Sequence, residues 1–197
     1  MYSPMDKSSP DTALKPLQVL QQAELVFDSQ VINSAIDELA QRLARRLGDC
    51  SPVVLCVMQG GLMFTGKIMS RLPIDAEFDY IHATRYGDAT TGDTIKWLAY
   101  PKQKLENRTV LILDDILDEG YTLAAIEQYC REQGALDVIS AVLLQKKHDR
   151  LKPGMRCDFV ALEVDDRYVF GAGMDYKGKL RHLDSIYALR PEMIQHA

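Results

Sequence analysis

The stretch VLILDDILDEGYTLAAI, residues 110–126, begins as an apolar run and ends with the spacing of an amphipathic helix. Four acidic residues stand where the two parts meet: Asp114, Asp115, Asp118 and Glu119. Taken singly, each acid is more typical of a helix cap or a turn. Because neighbouring like charges repel each other, the whole cluster at the end of a buried strand favours a functional site.

The segments around this stretch predict an α/β fold. The apolar run Val110–Leu113 is typical of a buried strand, and residues 122–133 predict a helix that ends at Gly134. The run DVISAVLLQ, residues 137–145, predicts the next buried strand, which completes a βαβ crossover. Upstream, residues 29–48 predict an amphipathic helix, and PVVLCVM followed by QGG and LMFTGKIMSRL predicts strand, turn and helix.

Further strands are predicted on both sides of this unit. Alternation of polar and apolar residues predicts edge-type strands, and shorter apolar runs near the end of the chain predict two more before a polar tail. These segments are AEFDYIHATRYG (76–87), TIKWLAY (94–100), CDFVALEV (157–164) and RYVFGAG (167–173). We therefore predict a mainly parallel twisted sheet flanked by helices, with ligands bound at the carboxyl ends of its strands.

Composition and charge narrow the class of protein. A chain of 197 residues with 47% hydrophobic and 26% charged residues fits one globular domain. Residues 1–16 are polar and proline-containing and are predicted to be flexible, which leaves 17–197 as the domain. The net charge of −5 argues against nucleic-acid and acidic-membrane partners.

Cysteine usage and hydropathy predict a cytoplasmic location. The four cysteines contain no C-x-x-C pair, so we interpret them as reduced core residues and do not expect a zinc site. No apolar stretch approaches the roughly 20 residues that would span a bilayer. The polar N-terminal residues also lack the apolar region of a signal peptide.

The acidic residues between the predicted strand and helix have the chemistry of a site for a metal, a sugar and a phosphate. The loop at 118–121 precedes the positive end of a predicted helix, which makes it an anion site. Gly120 permits a positive φ there, and the Thr122 hydroxyl can donate to a phosphate oxygen or cap the helix. Asp114 and Asp115 offer hard oxygen ligands for magnesium or for sugar hydroxyls. The absence of G-x-x-x-x-G-K-[ST] argues against nucleoside triphosphate hydrolysis.

Residues 110–123, VLILDDILDEGYTL, resemble the phosphoribosyl-diphosphate-binding motif of type I phosphoribosyltransferases. Four other segments, in the same order, resemble those of the hypoxanthine-guanine phosphoribosyltransferases of purine salvage. They are VMQGG (57–61), TRYGDATTGD (84–93), LLQKKHDR (143–150) and RYVFGAGMDYKGKLRHL (167–183). The resemblance extends from about residue 25 to residue 183. It also implies a small hood of C-terminal and N-terminal segments over the base site.

The resemblance implies a role for each segment. Ribose and the 5-phosphate would be held by Asp114, Asp115, Asp118, Glu119, Gly120, Tyr121 and Thr122. Pyrophosphate would be held by Met58, Gln59, Gly60, Gly61 and Arg181, with a non-proline cis peptide at Met58–Gln59. The lid would span about 84–94, with Thr84 and Arg85 touching phosphates. The base would meet Lys146, Tyr168, Val169 and Asp175, and Mg²⁺ would lie against Asp114, Asp115 and Asp175.

The activity that this resemblance implies is transfer of a phosphoribosyl group from 5-phosphoribosyl 1-diphosphate to N9 of a 6-oxopurine. Asp118 would be the catalytic base; alternatively, its carboxylate only caps the helix. Glu119 departs from the family pattern, which often has threonine there, so its side chain is expected to point away from the phosphate. The family also implies a homodimer or homotetramer.

Two other functions remain open at this stage. One is a regulator that senses phosphoribosyl diphosphate on the same fold, and the other is a receiver-like signalling domain with an acidic pair around magnesium. The retained base-site residues Lys146, Tyr168 and Asp175 argue against the regulator, and the D-x-G-x-T loop argues against the receiver. The four histidines, His82, His148, His182 and His196, form no recognisable motif and are interpreted as surface or core residues.

Overall fold

The computed structural model describes residues 15–86 and 94–196. The α-helices in these ranges are α1 (Pro16–Gln22), α2 (Ser29–Leu47), α3 (Gly61–Met69) and α4 (Tyr121–Glu132), and a 3₁₀ helix spans Pro191–His196. The strands are β1 (Glu24–Phe27), β2 (Val53–Val57), β3 (Glu77–Tyr86), β4 (Thr94–Ala99), β5 (Thr109–Leu117), β6 (Asp137–Lys147), β7 (Phe159–Asp165), β8 (Val169–Phe170) and β9 (Ile186–Ala188).

The main sheet has the order β4-β3-β2-β5-β6-β7 across the described residues. Four of the strand pairs in this sheet are parallel: β3 with β2, β2 with β5, β5 with β6, and β6 with β7. The pair of β3 with β4 is antiparallel. This arrangement confirms the predicted mainly parallel sheet flanked by helices. It also brings the carboxyl ends of β2, β5 and β6 to one edge, where ligands bind in folds of this kind.

The sheet separates two hydrophobic layers. On one face, α2 and α3 pack with Leu39, Phe64 and their neighbours against alternate residues of the strands. On the other face, α4 packs through Ile126 against residues such as Ile112 of β5. Because both faces are covered, all five residues of β2 are buried, as its unbroken apolar run predicted.

Segments near the two ends of the described chain form a second, smaller sheet, which agrees with the hood of N-terminal and C-terminal segments that the resemblance implied; its strands were not predicted individually. Strand β9 lies between β1 and β8 and pairs antiparallel with both. The polar tail predicted after residue 173 is therefore wrong in part, because Ile186 and Ala188 are fully buried in β9. The three-residue strand was too short to show a periodic pattern, and its partner β1 lies about 160 positions earlier in the chain.

Two strands differ from their predicted extents. Strand β5 continues to Leu117, so Asp114 and Asp115 lie within the strand and not after it. Strand β3 is not an edge strand, because β4 pairs along its outer side. The alternation that suggested an edge reflects Phe78 and Tyr80, which are exposed while Ile81 is buried.

Some predictions fall at or beyond the limits of the described residues. The N-terminal residues 1–14 and the lid glycines Gly87 and Gly92 lie outside them. Pro16, the last residue of the segment predicted to be flexible, is the first residue of α1. Over the part of the chain that the structure describes, no helix combines the length and the apolar character needed to cross a bilayer.

Candidate active site

A cleft of about 470 Å³ opens at the carboxyl ends of β2 and β5. Its walls come from the loop after β2, the end of β3, the second half of β5, the start of α4 and the C-terminal segment. The lining residues are Val57, Met58, Gln59, Gly60, His82, Ala83, Thr84, Arg85, Asp114, Asp115, Ile116, Leu117, Asp118, Glu119, Gly120, Tyr121, Thr122, Leu123, Asp175 and Arg181. Most of the predicted site residues therefore meet in one place.

Asp114 and Asp115 form a buried acidic pair at the floor of the cleft, each only 8% exposed. Burial raises the pKa of both carboxyls, and the charge of Asp115 raises that of Asp114 further. Arg181 opposes these shifts, since its positive charge lowers the pKa of each carboxyl. Two adjacent carboxylates that lack full charge compensation suit a divalent cation or the hydroxyl groups of a sugar.

The glycine loop after β2 packs directly on this pair. The Met58–Gln59 peptide is cis, as the resemblance implied. A Cβ on Gly60 would overlap the Asp115 carboxylate, and a Cβ on Gly61 would lie 2.7 Å from the Leu113 carbonyl oxygen. Both positions thus require glycine for the loop to reach the acidic strand.

The loop between β5 and α4 presents the start of the helix to the cleft. Gly120, with φ of +79°, precedes the first helical residue, Tyr121. Within the described ranges no side chain caps this helix, and residues 120–123 at its start line the cleft. Uncapped N–H groups and the positive end of a helix dipole are the features for which the sequence predicted an anion site here.

Asp118 is not a helix cap, which corrects one of the two alternatives drawn from the sequence. Its Oδ2 accepts a hydrogen bond from Lys146 Nζ at 2.6 Å, and its Oδ1 lies 2.8 Å from His148 Nε2. Partial burial alone would raise the pKa of Asp118, but the hydrogen bonds from Lys146 and His148 outweigh it and lower that pKa. The carboxylate is therefore held ionised at the rim of the cleft.

Strand register explains why Lys146 meets Asp118. Strands β5 and β6 are parallel, and Leu117 pairs with Gln145 at the end of their ladder. One residue further along the chain in each case stand Asp118, just after β5, and Lys146 of β6. These two residues therefore lie side by side. The ammonium of Lys147 forms an ion pair with Glu163 of β7 and does not contact Asp118.

Glu119 turns its carboxylate to arginines instead of leaving it unpaired beside the anion loop. It forms an ion pair with Arg85 at the end of β3, and Arg150 Nε lies 3.8 Å from its Oε1. The Arg85 guanidinium also lies over the ring of Tyr121, 4.8 Å from its centre. These contacts compensate the extra negative charge that distinguishes this loop.

The C-terminal segment brings Asp175 and Arg181 to the other side of the cleft. Arg181 Nη2 lies 2.6 Å from Asp175 Oδ1, and Nη1 donates to the Gly173 carbonyl at 2.7 Å.

Four of the predicted site residues do not line the cleft itself: Gly61, Lys146, Tyr168 and Val169. Tyr168 is 40% exposed and packs edge-on against Tyr176 at 6.0 Å, while Val169 is buried in β8.

Sequence reasoning missed two residues beside Asp118. His148 was interpreted as a surface or core histidine, yet its buried side chain contacts the carboxylate proposed as the base. Arg150 lies between Asp118 and Glu119 and binds Asp166 with two hydrogen bonds. The available signal was their position just after Lys146 in LLQKKHDR, at the carboxyl end of a strand beside β5.

Residues 22–178 match the family model of the phosphoribosyl transferase domain. The chain belongs to the phosphoribosyltransferase family. The family membership inferred from the five sequence segments is thereby confirmed.

Relatives and solved structures agree with this assignment. The chain is 28% identical over 173 residues to a hypoxanthine-guanine phosphoribosyltransferase of Bacillus subtilis, covering 87% of this chain and 96% of the relative. A hypoxanthine phosphoribosyltransferase structure from Staphylococcus aureus shares the fold with a TM-score of 0.83, at 24% identity and with coverage of 92% and 98%. A variant of the Trypanosoma cruzi enzyme in a ternary complex with substrates has a TM-score of 0.80, 28% identity and coverage of 88% and 98%.

The packing of the glycine loop on the acidic pair gives a first prediction. Gly60→Ala should lower the free energy of unfolding by about 1–3 kcal/mol, because the new Cβ overlaps the Asp115 carboxylate and forces the carboxylate or the loop to shift. Gly66→Ala in α3 is the matched control, since nothing lies within 4 Å of its added Cβ. It should raise stability by about 0.5–1 kcal/mol through helix propensity. Urea denaturation measures both; equal stability of Gly60→Ala and wild type would contradict the packing.

Proposed function

We propose that this protein is a purine salvage enzyme with hypoxanthine-guanine phosphoribosyltransferase activity. It would move the phosphoribosyl group of 5-phosphoribosyl 1-diphosphate to N9 of hypoxanthine or guanine, giving IMP or GMP and pyrophosphate. The observation that carries the proposal is the placement of Asp118, whose carboxylate lies beside Lys146 at the rim of a cleft with the anion loop and the acidic pair. The names of its relatives support the same activity.

The substrate sugar and phosphates would bind along the cleft. Asp114 and Asp115 would accept from the ribose hydroxyls, and the N–H groups of residues 118–122 would donate to the 5-phosphate. Met58, Gln59, Gly60 and Gly61 would meet the pyrophosphate through their backbone, with Arg181 adding a positive charge. Because the carboxylate of Glu119 is paired with Arg85, it would not oppose the dianionic phosphate.

Magnesium fits the acidic residues of the cleft. Asp114 and Asp115 offer adjacent carboxylate oxygens, and burial raises the pKa of both carboxyls, an effect that a bound cation would oppose. Asp175, whose carboxylate already meets Arg181, would help hold a second ion. When bound, the metal would neutralise the leaving diphosphate.

The base would lie between Lys146 and Tyr168. The Lys146 ammonium would donate to O6 of a 6-oxopurine, the Tyr168 ring would stack on the base, and Val169 would contact its edge through the backbone. As the lone pair of N9 bonds to C1 of the ribose, the C1–oxygen bond breaks and its electrons leave with pyrophosphate. The proton on N7 would pass to Asp118, and the electrons of the N–H bond stay in the ring.

The protein's contribution would be positioning, charge neutralisation and exclusion of water. Thr84 and Arg85 stand at the end of β3, where the predicted lid begins. A cytoplasmic location and the absence of nucleic-acid and membrane partners remain predictions from the sequence.

One assay tests the activity directly. Protein, magnesium and phosphoribosyl diphosphate are mixed with hypoxanthine, guanine, xanthine or adenine, and released pyrophosphate is measured. We expect turnover with hypoxanthine or guanine and little with adenine, because an ammonium group cannot accept a hydrogen bond from the 6-amino group. No release with any base would favour the regulator that only senses phosphoribosyl diphosphate.

The role of Asp118 is tested by Asp118→Asn, which preserves shape but removes charge and basicity. We expect the fold and the binding of phosphoribosyl diphosphate to survive while kcat falls by about 10²-fold or more. Asp137→Asn is the matched control, since Asp137 pairs with Arg46 at the opposite end of β6. Turnover of Asp118→Asn within a few-fold of wild type at all pH values would exclude Asp118 as the base and make Asp115 the next candidate.

We also propose a homodimer or homotetramer. Large apolar side chains are exposed on β3, on β4 and just after β4, with Phe78 54%, Leu98 51% and Tyr100 52% exposed. Such exposure in a folded chain is typical of a contact surface. Light scattering at micromolar concentration should give two or four times the chain mass of 22.2 kDa, and a single-chain mass would contradict the proposal.

A further inference from the structure

The two carboxylate oxygens of Asp118 have different partners. Oδ2 is bound by Lys146, which under the proposed function must turn toward the purine. Oδ1 faces His148 Nε2 at 2.8 Å. The two contacts therefore differ in kind. Lys146 would also bind the purine, whereas the proposed reaction gives His148 no role of its own.

The protonation of His148 follows from its second hydrogen bond. The backbone N–H of Arg150 donates to His148 Nδ1 at 3.1 Å. A backbone N–H can only donate, so Nδ1 carries no proton and the neutral ring has its proton on Nε2. That proton points at Asp118. Since both ring nitrogens are engaged, His148 has no free lone pair with which to take a proton from a substrate.

The surroundings keep this histidine in place. Its side chain is only 4% exposed, whereas that of Asp118 is 42% exposed. The other charged groups near the carboxylate are Lys146, Arg150 at 3.9 Å, and Asp166, which is itself paired with Arg150. Asp118, His148 and Asp166 bring ligand atoms within 4.8 Å of one another, but lysine and arginine already compensate the two carboxylates. The cluster is therefore a hydrogen-bonded support and not a metal centre.

We propose that His148 is a positioning residue that holds Oδ1 of Asp118 through its neutral Nε2–H form, leaving Oδ2 as the proton acceptor once Lys146 turns to the purine. This inference rests on the proposed function. In the free protein, Lys146 blocks Oδ2. When a 6-oxopurine enters, its O6 takes the ammonium, and Oδ2 becomes available to the N7 proton while His148 prevents the carboxylate from rotating.

His148 also sets how basic that carboxylate is. With Lys146 withdrawn, the Nε2–H is the remaining close donor to Asp118 among the described residues, with Arg150 more distant at 3.9 Å. A donor to the ionised form lowers the pKa of a carboxyl. Removing it should therefore raise the pKa of Asp118 and move the acid limb of activity to higher pH.

Two substitutions separate hydrogen bonding from bulk. His148→Phe retains a ring but removes the donor, and His148→Gln places an amide N–H near the position of Nε2. Lys147→Gln is the control, because Lys147 is 57% exposed and pairs with Glu163 on the surface. Each variant is assayed for kcat, for KM of phosphoribosyl diphosphate, and for kcat/KM of hypoxanthine across pH.

For His148→Phe we expect kcat to fall at least about 10-fold and the acid limb of kcat/KM to rise by about one pH unit, the effect of losing one hydrogen bond to a charged group. KM for phosphoribosyl diphosphate should stay within about 2-fold, because the histidine does not line the sugar and phosphate cleft. His148→Gln should recover most of the activity and restore the acid limb. Lys147→Gln should match wild type.

Several results would overturn the role of His148. One is a His148→Phe variant whose kcat and pH profile equal those of an active wild type. Another is a His148→Gln variant that does not restore the pH profile. Wild type that turns over none of the bases would instead overturn the proposed function. Proton–nitrogen NMR correlation of His148 in the free protein is independent of turnover. Protonation at Nε2 alone supports the proposal, and a proton on Nδ1 at about pH 7 would overturn it.

Discussion

The site depends on two carboxylates buried side by side in the central strand of a parallel sheet. The loop after β2 approaches Asp114 and Asp115 of β5 so closely that its positions 60 and 61 require glycine. A Cβ on Gly60 would overlap Asp115, and a Cβ on Gly173 would overlap the Gly60 carbonyl. The glycine loop after β2 and the C-terminal segment are thus packed together around the acidic pair.

This arrangement is unfavourable for the protein alone. Burial and mutual repulsion raise the pKa of Asp114, so ionising the pair at neutral pH reduces the stability of the fold. The contribution of such a group to stability is present below its ordinary pKa and is lost as pH rises through the raised value. A positively charged ligand would relieve this repulsion, so its binding would stabilise the fold.

A second set of polar and charged side chains lies along the rim of the cleft, and the opposite charges in it compensate each other. Lys146 and His148 hold Asp118, while Arg85 holds Glu119, and Arg150 lies near both acids. These groups come from the ends of β3 and β6 and from the loop before α4, so the ion pairs link three separate segments. Because His148 is almost fully covered and the arginines are exposed, the histidine contact is screened least by solvent.

Local patterns in the sequence determined the secondary-structure elements around the cleft and the position of its loops. The apolar run before Asp114 predicted the strand, the periodicity after Gly120 predicted the helix, and the QGG turn and the acidic turn marked the two loops that line the cleft. Each of these signals depends on neighbours within a few residues. The spacing of the D-x-G-x-T residues likewise predicted an anion site at the start of α4.

Tertiary structure decided the contacts between segments that are distant in the chain. The register of β5 with β6 places Lys146 and His148 on Asp118, about 30 positions away, and so excludes the helix cap that local pattern allowed. The pairing of β1 with β9 joins the two ends of the chain, although neither strand shows a pattern by itself. Periodicity reports which face of an element is covered, whereas the partner of a side chain depends on which elements become neighbours and in what register.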